Sequence, residues 1–112
     1  MRKESSTNFE NETTLMNFCN ASKTLLLING RWKMSMLFAL LENEKRTFSD
    51  FKTLLPQISD RMLALKLNEL VEDRIITKEK NGNSFCYELT TKGRALKSIL
   101  QSLAEFTAHP HQ

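Results

Sequence analysis

Glycine, proline and cysteine are scarce in this chain, at three, two and two residues of 112. So little glycine and proline excludes collagen-like and low-complexity chains. The cysteines, Cys19 and Cys86, are too few to staple a secreted mini-domain, and they follow no metal-ligand spacing. Long hydrophobic runs are missing too. The longest, Thr24 to Ile28, falls far short of the roughly 20 residues that a bilayer span takes. Arg2 and Lys3 lead into a polar run, Glu4 to Thr14, so no signal peptide is expected and a reducing cytoplasm is the expected location. There is no Ser-His-Asp set, no phosphate-cradling glycine loop and no paired carboxylate on a rigid element, so neither catalysis nor a cofactor is expected. His109 and His111 lack a third ligand, and no metal site is expected.

What is present is a hydrophobic fraction of 40% with 26% charge, ordinary for one folded domain. The net charge of +3 is compatible with nucleic-acid binding but does not argue for it. The pattern predicts an α+β, mostly helical fold. Residues 1–14 are expected to be a flexible N-terminal arm, 15–108 the domain, and 109–112 a frayed tail. Leu15, Met16, Phe18 and Leu25 to Ile28 fit a first helix, stopped by Asn29-Gly30. Trp32, Met36, Leu37, Leu40 and Leu41 give a second helix one apolar face, with Trp32 read as a core anchor. Glu44 to Arg46 reads as a turn.

Thr47 to Asp50 offers an N-cap for a short helix with Phe51, Leu54 and Leu55 inward, ended by Pro56. Ser59 caps a longer helix reaching about Asp73, with Leu63, Leu67, Leu70 and Val71 as its core stripe. Two helices around a tight turn outline a helix-turn-helix. Beyond Asp73 the period becomes two. Ile75 to Glu79 and Phe85 to Leu89 read as strands around Asn81-Gly82, which suits a type I′ turn. Phe85, Tyr87 and Leu89 share the face expected to be buried. Thr90 or Thr91 then caps one last helix bearing Leu96, Ile99, Leu100, Leu103 and Phe106.

With the leucine stripe inward, Arg61, Leu65 and Asn68 fall on the opposite side, and Met62 and Lys66 on one flank. Arginine grips guanine edges, asparagine pairs with adenine, and an apolar tip rests on a thymine methyl, so this face suits major-groove reading. A merely solvated face is the alternative. Lys78, Lys80, Asn81 and Asn83 crowd the hairpin tip, where a wing could lie along phosphates; a plain surface hairpin stays open. Ser49 and Ser59 complete the candidate DNA-binding set.

These residues resemble the HxlR-type winged-helix regulators of bacteria, within the MarR-like superfamily. That family begins with a cysteine, an apolar helix and a Gly-Gly-Lys-Trp turn; here Cys19 precedes Leu25-Leu26-Leu27-Ile28-Asn29-Gly30-Arg31-Trp32. Its Arg-Phe-x-x-Leu, Leu-Pro-x-Ile-Ser and Arg-x-Leu blocks appear as Arg46-Thr47-Phe48-Ser49-Asp50-Phe51 and Leu55-Pro56-Gln57-Ile58-Ser59-Asp60-Arg61-Met62-Leu63. Its Tyr-x-Leu-Thr-x-x-Gly block appears as Tyr87-Glu88-Leu89-Thr90-Thr91-Lys92-Gly93. The resemblance covers residues 18–106 and departs in a short wing without proline, in Asn29 for the first glycine, and in Arg74 where the family commonly has glycine.

The resemblance implies a winged helix-turn-helix with a short β-hairpin wing and N- and C-terminal dimerisation helices. It implies a homodimeric transcriptional regulator on a palindromic operator in double-stranded DNA; it leaves repression and activation both open, with repression the first expectation, and no membrane role is expected. Some members sense oxidants or electrophiles at the place of Cys19. A switch through Cys19, or through a small-molecule effector, is therefore an alternative; a passive, half-buried Cys19 is the plainer reading. A winged-helix protein-interaction module without DNA binding is a further alternative. Cys86 matches no family cysteine.

Overall fold

The computed structural model describes residues 2–108, with side chains described from residue 11 onward. The tail expected over 109–112, with His109 and His111, lies outside the described residues. The elements run α1 (Arg2–Ile28), α2 (Arg31–Glu42), β1 (Lys45–Thr47), α3 (Phe48–Leu54), α4 (Asp60–Glu72), β2 (Ile76–Asn81), β3 (Ser84–Leu89), α5 (Thr91–Arg94) and α6 (Lys97–Ala108). The strands form one antiparallel sheet in the order β1-β3-β2. The fold is a winged helix-turn-helix. Among the described residues no helix is long and apolar enough to cross a membrane.

Burial follows the helical period. Met36, Leu37, Phe51, Leu63, Leu67 and Leu70 lose all their exposure where α2, α3 and α4 meet. Tyr87 closes that core from β3, edge-on to Phe51 with ring centroids 6.2 Å apart. Local chemistry fixes the helix ends. Thr47 and Asp50 form a reciprocal capping box on α3, with Asp50 N donating to Thr47 Oγ1 at 3.1 Å and Thr47 N to Asp50 Oδ2 at 2.9 Å. Arg46 Nε donates to the carbonyl of Ala39 at 3.0 Å, a second donor beside the C-cap amide of Asn43 in the last turn of α2.

The joint behind α4 explains the Tyr87-to-Gly93 block. Arg74 holds a left-handed φ of 62°, the conformation for which glycine is the easy choice. Thr90 N donates to Ile75 O at 2.9 Å, and the Thr90 hydroxyl lies 2.7 Å from Arg74 O. The same hydroxyl accepts from Gly93 N at 2.9 Å as the N-cap of α5. A Cβ at Gly93 would collide with the Ile75 carbonyl, so only glycine lets the helix approach. Helix end, wing and C-terminal helix thus share one knot of hydrogen bonds.

Five expectations are corrected. The segment expected as an arm is helical: α1 starts at Arg2, and no glycine or proline interrupts the sequence before Gly30. Lys45–Thr47 is a strand rather than a turn, paired with Glu88, Tyr87 and Cys86 of β3. The hairpin turns at Gly82-Asn83, because Asn81 pairs with Ser84; Gly82 has φ 69° and Asn83 does not share it, as in a type II′ turn. Phe85 is 42% exposed, since it lies beyond the core, while Tyr87 and Leu89 are buried. The last helix breaks after Arg94, where Leu96 N donates back to Gly93 O at 3.0 Å.

The close approach at residue 93 gives a sharp expectation. Gly93→Ala lowers stability by about 1–3 kcal/mol, since the backbone carbonyl in its path cannot rotate away. Urea denaturation checks it, and an unchanged midpoint contradicts the packing described.

Candidate nucleic-acid interface

The turn between α3 and α4 is braced from both sides. Lys52 Nζ donates to Ile58 O at 2.6 Å and pairs with Asp60 Oδ1 at 3.0 Å. Arg31 Nη2 of α2 donates to Gln57 Oε1 at 3.3 Å. Ile58 is buried and plugs the turn into the core. Ser59 Oγ accepts from Met62 N at 3.0 Å, which satisfies one of the amides left over at the start of α4. Asp60 in the first turn complements the positive end of the helix dipole. The start of α4 is therefore fixed before any ligand is considered.

Around α4 the faces divide sharply. Leu63, Leu67 and Leu70 are fully buried, whereas Arg61, Leu65 and Asn68 are exposed. Leu65, at 48% exposure, is an apolar side chain held in water. The Arg61 side chain makes no hydrogen bond or ion pair with any other described residue. Met62 is half-buried against the core. Lys66 is not free: its Nζ lies 3.4 Å from Glu69 Oε1, which also pairs with Lys33 Nζ of α2 at 3.2 Å. Lys33 is buried and Glu69 about a third exposed, so this ion pair is a directional tie between α2 and α4 at the edge of the core. The hydrogen bond from Lys33, reinforced by Lys66, holds the Glu69 carboxyl below its ordinary value of 4.5 against the opposing effect of desolvation.

The wing follows α4 through the Arg74 joint. Lys80, Asn81 and Asn83 are exposed at its tip. Lys78 Nζ sits 4.3 Å from the centre of the Phe85 ring, so the half-exposed aromatic is a platform for a cation. Ser49 is exposed in the first turn of α3, on the other side of the turn from Ser59. Trp32 is half-buried against the core, with the Arg31 guanidinium 4.6 Å over its ring. Both thiols are free; Cys19 is exposed on α1 and Cys86 half-buried in the middle strand. Among the described residues no cluster could hold a metal ion.

The sequence pattern missed three parts of this site. Lys33 and Glu69 meet only through the packing of α2 on α4, and the Lys52 brace crosses a turn. The Lys78–Phe85 stack is a diagonal cross-strand contact in the observed register, whose turn lies one residue beyond the one expected at Asn81-Gly82.

A braced helix-turn-helix whose second helix shows one open face and leads into an antiparallel hairpin defines a winged-helix DNA-binding module. The chain belongs to the HxlR-like helix-turn-helix family, which it matches over residues 27–111, and it is a DNA-binding transcriptional regulator. It is 35% identical over 91 residues to the HTH-type transcriptional regulator YdeP of Bacillus subtilis, covering 79% of this chain and 70% of that protein. The solved structure of the redox regulator HypR in its oxidised form shares 31% identity at a TM-score of 0.74, covering 84% of this chain and 99% of HypR. The crystal structure of the HTH-type regulator ytcD shares 35% identity at a TM-score of 0.72, covering 79% of this chain and 92% of that one.

The Glu69 pair contributes stability with a defined pH dependence. A carboxyl whose folded pKa is depressed stabilises the fold above its unfolded pKa, and loses that contribution as pH falls through the folded value. Glu69→Gln therefore costs about 1–2 kcal/mol at neutral pH, less than a fully buried pair because Glu69 keeps some solvent contact. The deficit shrinks below the ordinary carboxylate value of 4.5. Urea midpoints of both proteins at neutral and acid pH check this; a deficit that persists at acid pH contradicts it.

Proposed function

We propose that the chain acts as a homodimer in the bacterial cytoplasm and reads a palindromic site in duplex DNA. One α4 per subunit enters each of two successive major grooves, about 34 Å apart. The observation that carries this reading is the outer face of α4. Arg61, Leu65 and Asn68 are presented together to solvent, while the helix is pinned to the body by three buried leucines and the Lys33–Glu69 ion pair. Arginine and asparagine supply the hydrogen bonds that distinguish base edges, and Leu65 supplies apolar contact for a thymine methyl. Met62 borders that face. Ser49, Ser59 and the wing residues Lys78, Lys80, Asn81 and Asn83 suit phosphate contacts that set register without reading sequence.

Two exposed apolar faces support the dimer. On α1, Leu15, Phe18 and Leu25 recur at spacings of three and seven residues, and each is more than half exposed. On α6, Ile99 and Leu103 line the outer side, 42% and 43% exposed. Residues 11–27 of α1 bury little within the chain, and a helix so placed draws its stability from outside packing. The radius of gyration of 18.2 Å, against about 13 Å for a compact chain of this length, says the same. A second copy, bringing the same two faces, covers both.

The test is a single truncation. Arg61→Ala weakens binding to the selected site by about 1–3 kcal/mol and relaxes specificity at the bases it reads, with the urea midpoint unchanged. Gel shifts at two salt concentrations measure it. Undiminished affinity for the selected site rules out the assigned face.

A further inference from the structure

We infer that Glu69 is a specificity-determining residue that withholds the charge of Lys66 from sequence-independent phosphate contact. This rests on the DNA-binding reading above. One carboxylate oxygen has two ammonium partners: Glu69 Oε1 lies 3.2 Å from Lys33 Nζ and 3.4 Å from Lys66 Nζ. Lys33, on α2, is the one buried charged residue among those described, at 8% exposure. A buried ammonium must keep its counter-charge, so Lys33 anchors Glu69. Glu69 in turn draws Lys66, one turn back on α4, against the helix flank, where 29% of its side chain stays exposed. Arg61, on the open face of the same helix, carries no such restraint.

The consequence follows from what drives non-specific binding. Each phosphate neutralised by a cation releases condensed counterions and adds about 0.9 to the slope of log affinity against log salt. A lysine already neutralised by a carboxylate releases few. Lys66 borders the reading face, so a free ammonium there would grip phosphate on any sequence and raise background binding without improving discrimination. Discrimination is a difference between affinities, and an element that weakens the wrong complexes raises it. Glu69 is such an element, built into the recognition helix and locked by a residue of another helix.

The experiment titrates a fluorescent random-sequence DNA duplex of about two helical turns across roughly 50–200 mM salt. Five full-length proteins are compared: wild type, Glu69→Gln, Lys66→Met, Glu69→Gln with Lys66→Met, and Lys33→Met with Glu69→Gln. Glu69→Gln is expected to bind more tightly, with a slope steeper by about 0.9. Lys66→Met alone keeps the wild-type slope, and adding it to Glu69→Gln restores that slope. Lys33→Met with Glu69→Gln removes the stranded buried charge and shows the same steepening, so a poorly folded single variant does not decide the result. A slope unchanged in both Glu69→Gln backgrounds overturns the inference. So does a loss of about 0.9 on Lys66→Met alone, or steepening that survives in the Glu69→Gln, Lys66→Met protein. In all three cases wild type still binds with ordinary salt dependence. A wild type with no salt-dependent affinity for any duplex removes the DNA reading itself, and this inference with it.

Discussion

The contact between Lys33 and Glu69 ties the recognition helix to the body by something more directional than packing. Leu63, Leu67 and Leu70 decide which side of α4 faces inward, but the hydrophobic effect that buries them is non-directional. A buried ammonium is less forgiving. Lys33 is tolerated in the interior while an acceptor stays in reach, and Glu69 of α4 supplies that acceptor at 3.2 Å in the observed packing. With Ser59 and the Lys52 brace fixing where the helix begins, both its phase and its origin are determined within the chain. The outward position of Arg61, Leu65 and Asn68 follows from those restraints. Preorganisation of this kind lowers the ordering cost when DNA binds.

The far end of α4 solves a second problem, the placement of the wing and the C-terminal helix relative to the reading face. Arg74 turns the chain through a left-handed residue, Thr90 fastens the returning strand to the carbonyls of Arg74 and Ile75, and Gly93 lets α5 close on that knot. The wing tip and α6 both leave from this place. A dimer built on α1 and α6 would therefore transmit its geometry to α4 through a few hydrogen bonds rather than a loose linker.

Local features of the sequence were the readable ones. The start of α4 at Ser59 and its leucine stripe need only near neighbours to form, and the structure has both where the pattern put them. The exposed apolar residues of α1 and α6 carry a signal of the same kind. Features that need a distant partner were not readable: β1 is three residues long and exists because β3 passes beside it. Lys33 looks like any solvent-facing lysine until α2 packs on α4. The hairpin slipped by one residue because both Asn81-Gly82 and Gly82-Asn83 can make a tight turn, and cross-strand pairing chose between them. Lys66 shows the same limit in the candidate site. Its place on the flank was evident from the wheel, but its engagement by Glu69 depends on what holds Glu69.

Selection of bound sequences from a random pool of duplex DNA tests the arrangement of the reading helices most directly. Two α4 helices related by a two-fold axis should enrich an inverted repeat whose half-site centres lie about 10 base pairs apart, one helical turn. Enrichment of an asymmetric sequence, or of none at all, would contradict a symmetric pair of major-groove helices.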